Sequence, residues 1–598
     1  MKNARPDQTI YQSRLSRYSE EYSQLGKRLG LLGFTRLLIF LLSIACFYFY
    51  FKVHESPWLI GAISLLVLFF LFVRLYQRTR DQSDFAKALI HINKTEIEFL
   101  ETNKSPYDSG ESYIDPHHPY SHDLDLFGEG SLYAFLNRTT SSYGRERLAT
   151  TLLHPDSTAI KERQAGINEL AGKIDFRQNL HAAGSLYVTD QSDPVKLKDW
   201  LKLPVVFKHP VNYYLLLISP AAVLTILVLY FSTGEKIYLS LFSILFMLNF
   251  LITAGFLKGI MKQVSASTSV GKVLDQFERQ LKEIEAQSFQ AALLRSLQGR
   301  LKQGDVTAAG SIDKLASLFK YLDFIINPVM SAILNGLSLF HIHVLFALDK
   351  WKRKNDDRVL NWLEITGEFE SLNSFANLAF NNADYCYPLI AEDKTLLATG
   401  MGHPLIRRER NITNDVSFKE QSFVVLTGSN MSGKSTFLRT LGTNIVLAKT
   451  GSPVCAGSFT LFPFDLYASM RITDSLQDSE SFFYAELKRL HAIIQHLETG
   501  RPTFVMLDEI LRGTNSNDKH SGTIGLIRKM VANNAFGIIA THDLTVADLS
   551  NEYPACMGNK CFESEIIDGE LIFDYKLKDG VCSRLNASFL MKKMKIID

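Results

Sequence analysis

The sequence predicts a multidomain chain: four transmembrane helices in two hairpins, an all-α middle, and a C-terminal α/β domain. Three observations predict it. The chain is 46% hydrophobic and nearly neutral at +2, yet its apolar residues concentrate in paired runs. Between and after those runs, apolar residues recur at helical spacing. From residue 397 onward, buried-strand patterns alternate with helical ones, beginning with a strand, a glycine-rich turn "GSNMSGKS" and a helix.

The first hairpin joins "LLIFLLSIACFYFYF" (Leu37–Phe51, within a span of about 31–53) to "WLIGAISLLVLFFLFV" (Trp58–Val73, within about 58–75) through only "KVHESP". The second joins Val211–Phe231 to Ile237–Leu257 through "STGEK". Each run approaches the roughly 20 residues that cross a bilayer, and backbone polar groups in lipid must be satisfied internally, so each is helical. The first run begins too late, and without a small-residue cleavage site, for a cleaved signal peptide. Lys27, Arg28 and Arg36 precede the first span, Arg74, Arg78 and Arg80 follow the second, and Lys258 and Lys262 follow the fourth. The positive-inside rule therefore places both termini in the cytoplasm, with the chain multi-pass in the cytoplasmic (inner) membrane.

A fifth run, "FIINPVMSAILNGLSLFHIHVLFAL" (Phe324–Leu348), contains Asn327, Pro328, His341 and His343. A fifth span would put the C-terminal domain outside, so the run is read as a buried soluble helix with its histidines as packing groups. Near the N-terminus, Tyr11, Leu15, Tyr18, Tyr22, Leu25 and Leu29 form a heptad-like stripe that suits a partner helix, in this chain or another copy. The segment 101–123 reads as a loop by its Pro, Gly, Ser and Asp content; its His117, His118 and His122 fit a solvated loop better than a metal site. Residues 124–396 read as a helical core interrupted by the second hairpin. The six cysteines, Cys46, Cys386, Cys455, Cys556, Cys561 and Cys582, lack metal-ligand spacing and read as reduced thiols.

The most specific signal is "GSNMSGKS", which fits G-x-x-x-x-G-K-[ST] with Gly428, Gly433, Lys434 and Ser435. It follows the strand pattern "SFVVLT" and leads into a helix, the context in which backbone N–H groups and a helix N-terminus cradle phosphates. Gly428 to Thr436, namely Gly428, Ser429, Asn430, Met431, Ser432, Gly433, Lys434, Ser435 and Thr436, are the expected phosphate contacts, with Lys434 at the β- and γ-phosphates. Downstream, "TFVMLDEI" ends a buried strand in Asp508 and Glu509. Ser435 and Asp508 are the expected Mg²⁺ ligands, Glu509 polarises the attacking water, and His542, at the end of "FGIIATHD", senses the γ-phosphate. ATP and Mg²⁺ are the cofactors this site implies.

These motifs resemble those of the MutS family. "TGSNMSGKST" is similar to its phosphate loop, "MLDEILRGTNSNDK" to its "DEIGRGT" segment, "ATHD" to its histidine strand, and "SFFYAEL" (Ser481–Leu487) to its signature "STFMVEM". "GHPLI" (Gly402–Ile406) resembles the start of its ATPase domain, and "SLYAFLNRTTSSYGRERLATTLLHP" the start of its helical core and lever. The resemblance implies an ABC-type ATPase working as a homodimer. Ser481 of one copy would reach the γ-phosphate of the other, Asn430 would lie beside the phosphates, and Arg512, Gly513 and Thr514 would sit at the interface. The sequence departs from the family in its first hundred residues, which replace the mismatch-reading domain with a membrane hairpin. The position at which the family commonly stacks an aromatic on adenine aligns with Asn411.

Three functions are weighed. The resemblance favours a membrane-anchored ATPase driving a helical lever in a DNA-related role. A membrane signalling or scaffold ATPase with a protein partner is the alternative, favoured by the heptad-like stripe and the missing reader; the near-neutral charge weakens specific mismatch recognition, since DNA binding needs several Lys/Arg contacts to phosphate. A transporter ranks below both, because the spans carry no charged residue to mark a substrate path.

Overall fold

The computed structural model describes residues 6–187, 193–207, 213–214, 216–303, 306–429, 431–471, 482–567, 570–582, 591 and 595–597. Two long helices come first, α1 (Pro6–Val53) and α2 (Ser56–Thr102). No proline occurs between Pro6 and Pro57, and Pro57 falls in the first turn of α2, where a missing N–H breaks no hydrogen bond. α2 stops at Asn103, which is left-handed at φ 57°. At 1.5 Å per residue each helix is about 70 Å long, more than twice a ~30 Å hydrocarbon core. Their distal halves expose Leu37, Leu41, Phe51, Ile60, Val67 and Phe70. Their proximal halves dock on the rest of the chain. Tyr11 donates its hydroxyl to Asn381 Oδ1 at 2.9 Å, and Asn93 and Gln178 exchange amide hydrogen bonds. The N-terminal stripe thus finds its partners within its own chain at Tyr11 and Tyr18, and opens at the exposed Tyr22.

The middle is helical: α3 (Leu132–Leu136), α4 (Ser142–Leu153), α5 (Ile160–Gly172), α6 (Ile174–Ser185), α7 (Asp193–Leu201), α8 (Ile218–Thr233), α9 (Lys236–Ala286) and α10 (Ala292–Gly299). A minimal hairpin, β1 (Lys302–Gln303) and β2 (Val306–Thr307), leads to α11 (Ala308–Leu322), α12 (Pro328–Ser338) and α13 (Phe340–Asn381). Ser131, Ser141 and Thr307 cap their helices by accepting from the third N–H on. From Val359 to Leu378, α13 is buried on nearly every side, the mark of a central core helix.

Among the described residues, three helices are long and apolar enough to cross a membrane: those containing the runs of α1 and α2, and Lys236–Ser265 of α9. Of the remaining run the structure describes α8, 16 residues closed by a left-handed Gly234 at φ 71°; residues 208–212 and 215 ahead of it lie outside the described residues.

The fifth run is corrected. It is not one buried helix. Asn327 caps α12 by accepting from the Met330 N–H, Pro328 starts it, and Leu339 ends it in the left-handed region at φ 54°. The part before Leu339 leaves Ile326 67% and Val329 69% exposed, whereas Ile342, Leu345 and Leu348 are core. The Asn-Pro pair is the cause: it favours a new helix start over continuation. The histidines do pack, His341 against Asn335 and His343 against Tyr213.

The C-terminal region holds two sheets. One has the order β3-β7-β4-β5, with β3 (Leu389–Ile390), β4 (Leu396–Met401), β5 (Asn414–Ser417) and β7 (Ser458–Leu461). The other has the order β12-β11-β6-β10-β9-β8, with β6 (Phe423–Gly428), β8 (Asp465–Ser469), β9 (Thr503–Asp508), β10 (Phe536–Thr541), β11 (Met557–Ile567) and β12 (Glu570–Asp579). All its neighbours are parallel except β11 and β12. β6 and β9 are buried at every residue, which explains their unbroken apolar runs. Helices α14 (Lys434–Thr450), α15 (Phe482–Glu498) and α16 (Ser516–Ala532) cover this sheet. α14 also meets the helical part: Gly442 lies against Leu124, and Gly451, at φ 81°, against the backbone of Ile160.

Candidate nucleotide-binding site

The carboxyl ends of β6, β9 and β10 converge, where open α/β sheets bind ligands. β6 delivers Gly428 into the loop, and a Cβ there would lie 2.8 Å from Ser432 Oγ and 3.0 Å from the Phe562 carbonyl. Gly433 takes φ 101° immediately before α14, a conformation that favours glycine. Lys434 is buried in the first turn of α14 and donates to the carbonyls of Gly428 and Ser429 at 2.9 and 3.1 Å. Burial pushes its ammonium below the ordinary value, against the pull of Glu509 and Asp508.

Ser435 donates its hydroxyl to Asp508 Oδ2 at 2.5 Å. Asp508 is buried and its other oxygen, Oδ1, has no hydrogen-bond partner among the described residues. An orphaned carboxylate oxygen beside a hydroxyl, at the mouth of a phosphate loop, is a donor set for a hard, oxygen-seeking cation such as Mg²⁺. Glu509 follows with φ 48°, a left-handed conformation that costs energy for a non-glycine residue and is held by its N–H on the Ala540 carbonyl at 2.9 Å. The Glu509 carboxylate meets His542 Nε2 at 2.5 Å, and His542 Nδ1 lies 2.8 Å from the Gly428 carbonyl. The His542 hydrogen bond is the largest cause holding the Glu509 carboxyl at about 2. Arg512 reaches back to Glu509 at 3.5 Å.

Of the expected site residues, Lys434, Ser435, Asp508, Glu509 and His542 lie together. Ser429, Ser432 and Thr436 line or adjoin the same loop, and Met431 projects outward, 74% exposed with φ 67°. Asn430 and Ser481 lie outside the described residues.

Sequence reasoning missed two participants. One is Glu486 on α15, buried within the "SFFYAEL" segment itself, whose Oε1 accepts from the Leu511 N–H at 2.6 Å and so ties the "DEILRGT" turn to that segment. The other is Tyr575 on β12. A cavity of about 290 Å³ adjoins the loop, lined by His403, Ile412, Gly433, Phe437, Phe562 and Tyr575 among others. Tyr575 has φ 51°, and its ring would lie 3.0 Å from a Cβ on Gly433. Asn414 fixes its backbone, donating to the Tyr575 carbonyl at 3.1 Å and accepting from the Leu577 N–H at 2.8 Å. Asn411 also lines the cavity and folds back on His403, accepting from its N–H at 3.0 Å and donating to its carbonyl at 3.1 Å. The ring of Tyr575 thus enters this lining from β12. No motif marks Tyr575; only pairing of β12 beside the loop reveals it.

Residues 424–595 match MutS domain V. The match begins within β6 and takes in every site residue from Gly428 to Tyr575. Two similar relatives are the DNA mismatch repair proteins MutS of Thermotoga maritima, 31% identical over 229 residues, 37% of this chain and 28% of the relative, and of Staphylococcus saprophyticus, 30% identical over 233 residues, 38% and 26%. The chain spans little more than a quarter of the length of these curated relatives. The MutS-like part is thus the C-terminal part, and the helical hairpins fall outside the domain V match.

Proposed function

We propose that the chain is a membrane-anchored ATPase of MutS type, working as a homodimer in a DNA-related process with the ATPase domain cytoplasmic. The observation that carries the reading is the convergence of Lys434, the Ser435–Asp508 pair and the Glu509–His542 pair at three strand ends. In this reading Lys434 and the loop N–H groups bind the phosphates. Ser435 and Asp508 hold Mg²⁺, which supplies charge neutralisation at the phosphates when bound. Glu509 orients water, and His542 links Glu509 to the phosphate loop. Ser481, with Arg512, Gly513 and Thr514, completes the site of the other copy, so that closure depends on nucleotide and biases the helical lever. Support for DNA comes from the names of the relatives.

The second reading, a signalling or scaffold ATPase with a protein partner, is favoured by one observation. Basic groups along the cytoplasmic part of the core are engaged internally, Arg279 near Asp81 at 3.6 Å and Lys320 with Asp275 at 2.9 Å. The deciding experiment measures phosphate release by the detergent-solubilised protein with and without duplex, mismatched and branched DNA. Salt-sensitive stimulation supports the first reading, and indifference to every DNA the second. Alkaline carbonate washing is expected to leave the chain in the membrane pellet; release into the supernatant would refute anchoring.

The cavity beside Gly433 suits a nucleoside base, with Tyr575 as its stacking face. Tyr575→Ala is expected to raise KM for ATP by about 3- to 10-fold, the worth of one aromatic stack, with kcat little changed. An unchanged KM would remove Tyr575 from the binding site.

A further inference from the structure

We propose that residues 321–339 form a re-entrant hairpin that enters the cytoplasmic leaflet and presents its apolar side to lipid acyl chains near mid-bilayer. This rests on the reading of α9 as a transmembrane helix.

The chain leaves the core through α11, passes a 3₁₀ turn at Asp323–Ile326, bends by 111° into α12, and returns as α13. Both ends of the excursion belong to one core, where Trp351 of α13 donates to the Ser311 carbonyl of α11 at 2.8 Å. No charged residue occurs from Phe324 to Leu348. Phe324, Ile326, Val329, Met330 and Ile333 are 43–69% exposed, a continuous apolar surface of the kind that water-soluble proteins cover.

Its depth can be read from α9. The Asn249 side chain, fully buried, donates to the Gly336 carbonyl at 2.9 Å, and a Cβ on Gly336 would lie 2.2 Å from the Phe246 ring. Ten residues beyond Phe246 and Gly336, past the break at Leu339, the two stretches of chain flank one ring: Phe207 stacks on Phe256 of α9 and meets Phe346 of α13 edge-on. Lys258 marks the aqueous end of the α9 span. From Lys258 to Asn249 is about 14 Å along the helix, close to half of a ~30 Å hydrocarbon core. Phe324 lies against Phe340, on the membrane side of Phe346.

The polar groups are arranged as lipid demands. Asn335 is buried, donates to the Ser331 carbonyl and accepts from the His341 N–H. Ser219 of α8 donates to Asn249 Oδ1, so one amide joins α8, α9 and α12. Within α12 the apolar side chains face out while Ser331 is half-buried and Asn335 buried, the reverse of a soluble surface helix; the polar groups left exposed, Asp323 and Asn327, sit in the turn that leads into it. α12 packs on α9 at Asn249 and Phe246, and Leu248 and Leu251, at the same level of α9, are exposed as Val329 and Ile333 of α12 are; a span whose apolar side chains face lipid at this level selects lipid as the occupant over a separate protein.

The test places a nitroxide at Val329→Cys in reconstituted full-length protein whose six cysteines are replaced by serine, with Val67→Cys as the reference for a span and Lys314→Cys for water. Loss of broadening by a water-soluble nickel chelate at Val329, matching Val67 and unlike Lys314, is expected. Nickel broadening at Val329 while Val67 stays protected overturns the hairpin and leaves the spans standing; broadening at both sites overturns the membrane reading itself. Should the serine background not fold, benzoylphenylalanine at Ile333 in the otherwise native chain is photolysed in native membranes. Phospholipid adducts support the inference, and a dimer-sized adduct, showing a second copy seated there, overturns it.

Discussion

Glu509→Gln is expected to slow phosphate release by about 10²–10⁴-fold while ATP binding persists, the range typical of removing a positioned catalytic carboxylate. Glutamine keeps the size of the side chain and can still accept from His542 through its amide oxygen, so the left-handed backbone at Glu509 and its bond to the Ala540 carbonyl need not change. What is lost is the charge. Because His542 holds the Glu509 carboxyl at about 2, the group is fully ionised at neutral pH and is a weak proton acceptor. In the proposed reaction its contribution is therefore the orientation and polarisation of water, not storage of a proton. Lys434→Ala provides the contrast: its ammonium sits within the loop on two carbonyls, and its loss should weaken nucleotide binding itself. Steady-state phosphate release and binding of a fluorescent ATP analogue, measured on both variants, separate the roles. Turnover of Glu509→Gln within threefold of the parent would remove Glu509 from the chemistry.

The parts of the site that a sequence shows and hides follow from how each is encoded. The phosphate loop is local: strand, turn and helix are contiguous, so spacing alone placed Gly428, Gly433, Lys434 and Ser435 on β6 and α14. Asp508, Glu509 and His542 were legible because each ends an unbroken apolar run, and buried parallel strands read as such runs. Tyr575 and Glu486 were not. Each meets a neighbour distant in sequence, Gly433 for Tyr575 and Leu511 for Glu486; Tyr575 stands in an ordinary strand pattern, and the "SFFYAEL" segment that holds Glu486 gives no sign of the partner its carboxylate meets. Among the helices, the tight turns of the first hairpin were readable from "KVHESP". The break at Asn327 was misread because hydropathy is continuous across it, although the Asn-Pro pair carried the signal. The partner of the N-terminal stripe was ambiguous for a further reason. A stripe states that a face is covered, never by what.

That docking leads to the second large effect. Glu96→Ala is expected to release the docked ends of α1 and α2 from the helical core. Glu96 is 3% and Arg138 6% exposed, and their side chains meet at 2.5 and 3.3 Å. Burial alone would push the Glu96 carboxyl up, but the charge and hydrogen bonds of Arg138 outweigh it, and the carboxyl stays below its ordinary value. Asn377 and Asn381 of α13 donate to the same carboxylate at 3.2 and 3.3 Å, and Asn381 accepts from Tyr11 of α1. One carboxylate therefore ties α1, α2, the Arg138 turn and the central helix together. Removing it leaves Arg138 buried without a counter-charge, and breaking a buried pair in this way costs about 3–5 kcal/mol. If that cost falls on the local opening that frees the two helices, amide exchange along 85–102 should accelerate by about two to three and a half orders of magnitude. Glu96→Leu combined with Arg138→Met, which removes both charges and keeps most of the volume, should recover a large part of the protection. A structural filler at position 96 would behave differently: the alanine variant would exchange as the parent does, and the double replacement would be no better than either single one. The same measurement bears on the proposed coupling between membrane and nucleotide site, because α13 runs from the left-handed break at Leu339 to Asn381, the end that Glu96 holds. Should ATP-dependent protection along α2 vanish in Glu96→Ala while ATP binding is retained, the carboxylate would be the joint through which a bilayer-rooted hairpin follows the state of the ATPase domain.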